Sequence, residues 1–441
     1  MPSERSPRVL IVGAGIGGLF LAQFLRKKGI PFAIFERDAS PSARGAGWAI
    51  GLSMLEDYAH HMPEDVPPLR SASHLLPLAL PSQFIMYPPG GARIGVEDTP
   101  ATPCVRANRQ RLREILLTSV PVQWDKHAVG VTENKEDHTV TVSFADGTTA
   151  TGDVLVGADG TWSKVREAVL GRPNAVTLQA VPMSMVYGEV ALTGDALVKQ
   201  LRLGHSAYLV PRPATGKGSG NGNGTNGVTG STGATPGRAS GSAIFFCGLD
   251  RVEADGQTGY FYWFLYERDD DAAAPDHWLR TAPREAKYAH VLARTAEAGV
   301  EPHYTEIVRA GGAEAVSGVF SLYYDAVLQA LPAGRRTLLV GDAAHPTTPF
   351  RGEGGIQAIK DVLRLSEVLA AHFGDSADTL QAALDTFQKD VSEAGAQVVQ
   401  MSRDAVLGAK PPPGKPHSWG FEVRPIPERD VSLNVNSLTA H

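Results

Sequence analysis

The opening of this chain constrains its fold more than any other stretch. An unbroken apolar run, RVLIV at residues 8–12, leads directly into Gly13-Ala14-Gly15-Ile16-Gly17-Gly18. A run with no polar alternation is a strand of a buried parallel sheet. Residues 16–28 read as a helix that stops at Gly29, and PFAIFE at 31–36 reads as a second strand. This βαβ opening points to an α/β fold. Within the glycine pattern, Gly13 permits the tight turn and Gly15 lets backbone approach a pyrophosphate. Gly18 lets the helix pack on the sheet, and the helix N-terminus turns its amides toward the phosphates. Glu36 ends the second strand, where a carboxylate can bond both hydroxyls of an adenosine ribose. The same spacing recurs at Gly222, Gly224 and Gly227 with no strand or helix around it, so only the N-terminal copy counts. It reads as a dinucleotide site. It does not separate NAD from FAD.

With 441 residues the chain has room for two or three domains. Its net charge of −6 comes with no basic block, so nucleic acid is not an expected partner. Cys104 and Cys247 are too few for a disulfide framework or a zinc site. No HxxxH or HExxH spacing occurs, and no metal is inferred. These features favour a reducing compartment, and a cytoplasmic location is expected. The N-terminus has no separate apolar segment with a cleavage site, and no apolar run is long enough to cross a membrane.

Further along, 108–118 reads as a helix, HTVTVSF at 138–144 as a half-exposed strand turning at Asp146-Gly147, and 153–160 as another buried strand. From about residue 181 the pattern becomes that of a mostly antiparallel sheet, with strands at 184–192, 205–210, 243–248 and 260–267. A buried parallel strand returns at 336–345, followed by helices at 354–372 and 379–403. Residues 215–242 are low in complexity and have little apolar content to bury. They read as a disordered, mobile insertion at the tip of a hairpin. The stretch after Gly408 is rich in proline and polar residues and reads as loop. The expected organisation is a discontinuous dinucleotide-binding domain (1–75, 100–180 and 318–372) and a substrate domain (76–99 and 181–317). A helical segment at 373–410 and a tail at 411–441 complete it.

Three stretches resolve the cofactor. VRANRQRLREILL at 105–117, VGADGTWSKVR at 156–166 and GDAAHPTTPFRGEGG at 341–355 resemble motifs of the single-component (class A) FAD-dependent monooxygenases. The salicylate hydroxylase and tetracycline-inactivating branches of that aromatic hydroxylase family are the most similar. The resemblance covers roughly residues 8–60, 100–170 and 336–372, and the middle of the chain shares only its layout. It implies a Rossmann-like FAD-binding domain with an inserted, mostly antiparallel substrate domain and C-terminal helices. It implies that Arg109 reaches the FAD pyrophosphate, that Asp159 supports the flavin and a nicotinamide groove, and that Asp342 bonds the ribitol. It also implies that Gly47 and Ala49 pass the isoalloxazine and ribityl chain. Gly352, Gly354 and Gly355 would let amides of the following helix face the flavin pyrimidine edge, where reduced flavin carries negative charge.

The implied reaction takes electrons from NAD(P)H, docking transiently because only one dinucleotide fingerprint exists. It inserts one atom of O2 into an aromatic or electron-rich small molecule. Other flavin oxidoreductases of the fold (a halogenase or a reductase), an NAD(P)-dependent dehydrogenase without flavin and a non-catalytic flavin sensor are the rival readings. The halogenase Trp-x-Trp-x-Ile-Pro signature is absent, and a dehydrogenase leaves 341–355 unexplained. No catalytic side chain can be named. The arginine that many phenol hydroxylases carry after a tyrosine in the first substrate-domain strand is replaced here by Gly188, after Tyr187. Tyr208, before Pro211, could bond a substrate oxygen but reads first as sheet packing, and His205 and His345 read as structural. The chain also departs from the family by placing Glu353 and Ile356 where a glutamine and an asparagine are usual. Glu353 is expected to face solvent, since a carboxylate buried beside the flavin would need a cation and only Arg351 is at hand in the loop.

Overall fold

Five parallel strands form the centre of one half of the molecule, in the order Thr337–Leu339, Val154–Gly157, Val9–Val12, Phe32–Phe35 and Val122–Gln123. The structure is a computed structural model and describes residues 8–43, 47–53, 58–212, 242–328, 331–406 and 423–433. Val9–Val12 sits in the middle of the sheet and all four residues are buried, which is why its sequence does not alternate. The helix Ile16–Lys28 lies against it and ends at Gly29, whose φ of 67° lets its N–H close back on Arg26 and Leu25. Arg26, Lys27 and Lys28 occupy its last turn, where cations complement the negative end of the helix. The helix Gly354–His372 packs beside it, and Ala377–Val406 packs on that helix in turn. An antiparallel three-stranded sheet, 128–134, 139–144 and 149–152, turns at Gly147 as expected.

The other half is a seven-stranded sheet. Its order is Met183–Thr193, Thr258–Arg268, Ala243–Val252, Ala207–Arg212, Gln83–Met86, Ile94–Glu97 and Arg424–Pro425. Every neighbouring pair is antiparallel except Ala207–Arg212 with Gln83–Met86. Alternation along Thr258–Arg268 separates its two faces. Phe261, Trp263 and Leu265 are buried in a core shared with Phe245, Leu249 and the helices that back the sheet. Tyr262, Phe264 and Tyr266 point the other way, toward the nucleotide-binding half. The chain is thus an α/β protein with a Rossmann-like sheet, a second mostly antiparallel sheet and C-terminal helices, as the sequence suggests.

The tail departs from expectation. After 407–422, which lie outside the described residues, Arg424–Pro425 pairs with Ile94–Glu97 and becomes the edge of the large sheet. Ile426 and Val431 are buried in the same core. Arg93 donates to the carbonyls of Ile426 and Pro427 at 2.7 and 2.8 Å, and Arg429 clamps Glu97 with two bonds of 2.5 and 3.0 Å. Proline is admitted because an edge strand needs donors on one side only. The strands Ala207–Arg212 and Ala243–Val252 do form a hairpin, paired out to Arg212 opposite Ala243. Residues 213–241, and with them almost all of the expected insertion, lie outside the described residues.

Candidate active site

A single cavity of about 1460 Å³ runs from the first βα turn to the inner face of the large sheet. Cavities for drug-sized ligands are about 300–1,000 Å³, so this one has space for a dinucleotide and a further small molecule. Of the residues expected at the site, Gly13, Gly15, Glu36, Gly47, Ala49, Arg109, Asp159, Asp342 and Gly355 line it. Gly18 does not. It lies behind the turn, where a Cβ would come within 2.0 Å of the Gly13 carbonyl oxygen, so it sets the packing of helix on turn.

The turn itself is built by exclusion. Gly13 has φ 107°, and a Cβ there would meet the Ala158 carbonyl at 2.4 Å. At Gly15 a Cβ would meet nothing within 4 Å, because that side is the open cavity. Gly15 caps the helix with no side-chain hydrogen bond, so the first-turn amides face the cavity with no capping side chain. Glu36 is buried and shaped by backbone: Ala14 N donates to its Oε2 at 2.7 Å and Asp38 N to its Oε1 at 3.1 Å. Two carboxylate oxygens have further acceptor capacity for a diol.

A second cradle stands opposite. Asp361 is buried in the helix Gly354–His372, accepts from Gly341 N at 2.9 Å and pairs with His345 Nε2 at 2.6 Å. Burial drives the His345 imidazole toward its neutral form, but the charge and hydrogen bond of Asp361, with Asp342 behind, outweigh it and raise its pKa. This pair ties the Gly341–Ala344 turn to the helix and is structural, as expected for His345. It also fixes Asp342, whose carboxyl lies beside Gly354. Burial raises the Asp342 pKa against the opposing charges of His345 and Arg109. The helix again starts without a side-chain cap, and Gly354 and Gly355 bring its first amides to the cavity wall. A Cβ on Gly355 would lie 2.2 Å from Ile50 Cδ1, so a larger residue would have to displace the Ile50 side chain for the helix start to keep its seat.

Between the cradles lies Arg109, at the start of the helix Arg109–Leu116, which Asn108 caps through the amides of Gln110 and Arg111. Its guanidinium is open to the cavity yet surrounded by protein, and that desolvation lowers its pKa. Among the described residues it has no hydrogen-bond or ion-pair partner, so an anion is the missing complement. Gly47, with φ 76°, leaves just enough space: a Cβ would lie 3.2 Å from Arg109 Nη1. The Asp159 carboxylate is turned elsewhere. It accepts from Ser163 Oγ at 2.5 Å and from the amides of Lys164 and Val165, capping the helix Lys164–Leu170. Asp159 therefore meets the cavity as part of the loop it stabilises.

Two expectations need correction or completion. Glu353 does not face solvent: its side chain is 13% exposed and bound by Arg351 through two bonds of 3.0 Å. The cation it would need is the neighbour two residues back. Gly188 is compulsory in this chain, since a Cβ would strike the Trp263 ring at 2.5 Å and the Ala315 carbonyl at 2.7 Å. No arginine fits there. Tyr208 is a core residue, bonded to Tyr304 O and Gln200, and His205 bonds Pro81 O; neither lines the cavity. Sequence reasoning missed the chamber at the far end of the cavity, walled by Trp48, Phe246, Tyr262, Phe264 and Tyr266. Trp48 stacks on Tyr262 with ring centroids 4.6 Å apart and planes 4° from parallel. The period-2 pattern of GYFYWFLYE holds the signal, because its alternate aromatics cannot all face one core.

Two unlike sheets that share one cavity, one bearing two uncapped helix starts and the other an aromatic wall, define a nucleotide-dependent enzyme of flavoprotein architecture. The family model described as FAD binding domain matches residues 7–199 and 272–402. The FAD-dependent monooxygenase thnD of Trichoderma harzianum is 38% identical over 434 residues, covering 97% of this chain and 99% of the relative. Among solved structures, Klebsiella pneumoniae HpxO complexed with FAD and uric acid superposes with a TM-score of 0.63 at 21% identity, over 91% of this chain and 88% of that one. A salicylate hydroxylase substrate complex gives 0.62 at 20%, over 92% and 89%. The chain belongs to the FAD-dependent monooxygenase family of the single-component, aromatic-hydroxylase type. The open helix starts, the unpartnered Arg109 and the size of the cavity are what FAD requires.

Proposed function

We propose that this protein uses NAD(P)H and O2 to place one oxygen atom in an aromatic or electron-rich small molecule, in the cytoplasm. The observation that carries this reading is the continuity of the cavity, which joins the FAD cradle to the aromatic chamber without a wall between them. FAD, when bound, supplies the redox and oxygen chemistry. The chain supplies the rest. Glu36 holds the adenosine ribose, Gly13, Gly15 and the helix behind them hold the pyrophosphate, and Arg109 neutralises it. Gly47 and Ala49 let backbone pass the ring system. Asp342 takes the ribityl hydroxyls, and the Gly354–Gly355 amides stabilise negative charge at the ring edge. Asp159 keeps its loop in place by capping the helix behind it. The aromatic wall orients a flat substrate and excludes water.

The purified protein is expected to be yellow, to release FAD on denaturation, and to oxidise NADH or NADPH faster when an aromatic substrate is added. The product should be heavier by one oxygen atom by mass spectrometry. Bound NAD or FMN instead of FAD would contradict the cofactor assignment. A panel of aromatic compounds that neither stimulates NAD(P)H oxidation nor gains oxygen would contradict the reaction.

A further inference from the structure

Position 188 cannot hold a substrate-binding arginine, but another guanidinium reaches the chamber. Arg106 lies on the strand Cys104–Ala107, which faces the large sheet from the nucleotide-binding half. Its backbone is fixed on both sides. Its N–H donates to Ser82 Oγ at 3.3 Å, and its carbonyl accepts from His74 N at 3.0 Å and His74 Nδ1 at 2.5 Å. The guanidinium then projects into the aromatic chamber, 5.6 Å from the centroid of Phe246 and 5.7 Å from that of Tyr262. Its only hydrogen bond among the described residues is to the Tyr262 hydroxyl. Its Nε is buried with no partner. No carboxylate of the described residues lies within ion-pair distance, and Asp250, whose charge acts on the guanidinium from farther off, is engaged by Arg251 at 3.3 Å. His74 beside it is held neutral, since burial pushes its pKa down to about 3. Arg109 adds a second positive charge. Burial presses the Arg106 guanidinium down to about 10, which still leaves it charged near neutral pH.

A charged group in an apolar chamber with one neutral partner is incompletely compensated. Its planar fork suits a group that offers two oxygens or one delocalised oxyanion. We propose that Arg106 determines the specificity of the chamber. Its substrate is a planar aromatic molecule carrying an oxyanion, either a carboxylate or the ionised oxygen of an acidic enol, with its ring against Trp48, Tyr262 and Phe246. The inference rests on the reading that the aromatic chamber holds the substrate. It assigns Arg106 a positioning role, with the Tyr262 hydroxyl as the donor's companion.

The test uses the FAD-loaded protein and two matched pairs of probes: 2-naphthoate against 2-naphthamide, and 4-hydroxycoumarin against 4-methoxycoumarin. Binding is read from the perturbed flavin absorbance and by calorimetry. The wild type should prefer the anion of at least one pair by about tenfold to a hundredfold, the range of a charge-assisted hydrogen bond. The first pair identifies a carboxylate, and the second an enolate. Arg106→Gln should abolish the preference and Arg106→Lys should retain part of it, with FAD affinity unchanged in both. Equal binding of anion and neutral partner in the wild type overturns the proposal even if no variant folds, and leaves the monooxygenase reading intact. Failure of all four probes to bind a yellow protein counts against both. Loss of FAD affinity in Arg106→Gln with the anion preference kept would place Arg106 at the flavin instead.

Discussion

At the scale of single residues, the cavity is governed by where charge is matched and where it is left open. Arg109 is unmatched among the described residues while Glu353 is fully matched, and the two respond differently to substitution. Arg109→Ala removes the partner of the pyrophosphate. The variant should fold normally and bind FAD about tenfold to a hundredfold more weakly, as charge-assisted bonds of about 1.5–3 kcal/mol predict. A fluorescence titration of apoprotein with FAD measures this, and an unchanged Kd would remove Arg109 from the site. Glu353→Gln acts through Arg351, which lines the cavity just before the helix start. In the wild type the bidentate pair is neutral overall. Glutamine leaves the arginine charge uncancelled near the place where reduced flavin becomes negative. A unit charge at roughly 10 Å contributes on the order of 1 kcal/mol at the effective dielectric of a protein site, or about 20 mV for a two-electron couple. The flavin midpoint potential should rise by about that amount, and a potential that stays put or falls would show that the pair does not sense the flavin.

At the scale of elements, legibility in the sequence followed how local the cause is. The opening βαβ unit, the helix Gly354–His372 and the strands Met183–Thr193, Ala207–Arg212 and Thr258–Arg268 carry their cause in their own periodicity and were readable within a residue or two, whereas Ala243–Val252 runs four residues beyond its expected end and the short strands Gln83–Met86 and Ile94–Glu97 were not read at all. The helix Gly194–Leu203 was not, because it follows a long strand directly and its N-cap Thr193 makes no side-chain cap. The two-residue strands Val122–Gln123 and Arg424–Pro425 exist only because a neighbour offers an edge, which no local pattern announces. The same logic separates site residues. Glycines and Glu36 belong to a spacing motif, whereas Trp48 and Arg106 become site residues only when a strand of one half meets the sheet of the other. The hairpin Ala207–Arg212 and Ala243–Val252 yields a prediction at this scale. Its strands pair to their ends and its core face is filled by Val210 and Phe245. Deleting residues 216–241 should leave the flavin spectrum and substrate-stimulated NAD(P)H oxidation largely unchanged, since loop length contributes little to closure entropy. A folded deletion variant that has lost most of its turnover would show that the segment takes part in the site.

At the scale of the whole molecule, the chain crosses repeatedly between its two sheets, so neither sheet is made from one continuous stretch. The last described crossing is the tail, and it closes the large sheet at an edge that strands from residues 83–97 would otherwise leave bare. Three effects act together there. Ile426 and Val431 add two buried side chains to the core, each contributing about 1.5–3 kcal/mol when fully buried. Arg429 balances Glu97, which is buried and would otherwise depend on Gln83 alone among the bonds described. The strand itself pairs with Ile94 and Gly95 and covers part of an edge that would otherwise invite pairing with a second molecule. Ending the chain before Val423 removes all three at once. The truncated protein should lose several kcal/mol of stability and aggregate more readily. Its loss should register in the large sheet, which carries Trp263, before it registers in flavin release, because the FAD cradle touches none of these residues. Denaturant titration separates the two halves when it is followed by free FAD and by tryptophan fluorescence in a background where Trp48, Trp124 and Trp162, which lie outside the large sheet, are replaced by phenylalanine. Coincident midpoints equal to those of the full chain would show that the tail is dispensable, and a fluorescence midpoint that falls ahead of FAD release would show that it holds the sheet on which the substrate chamber is built.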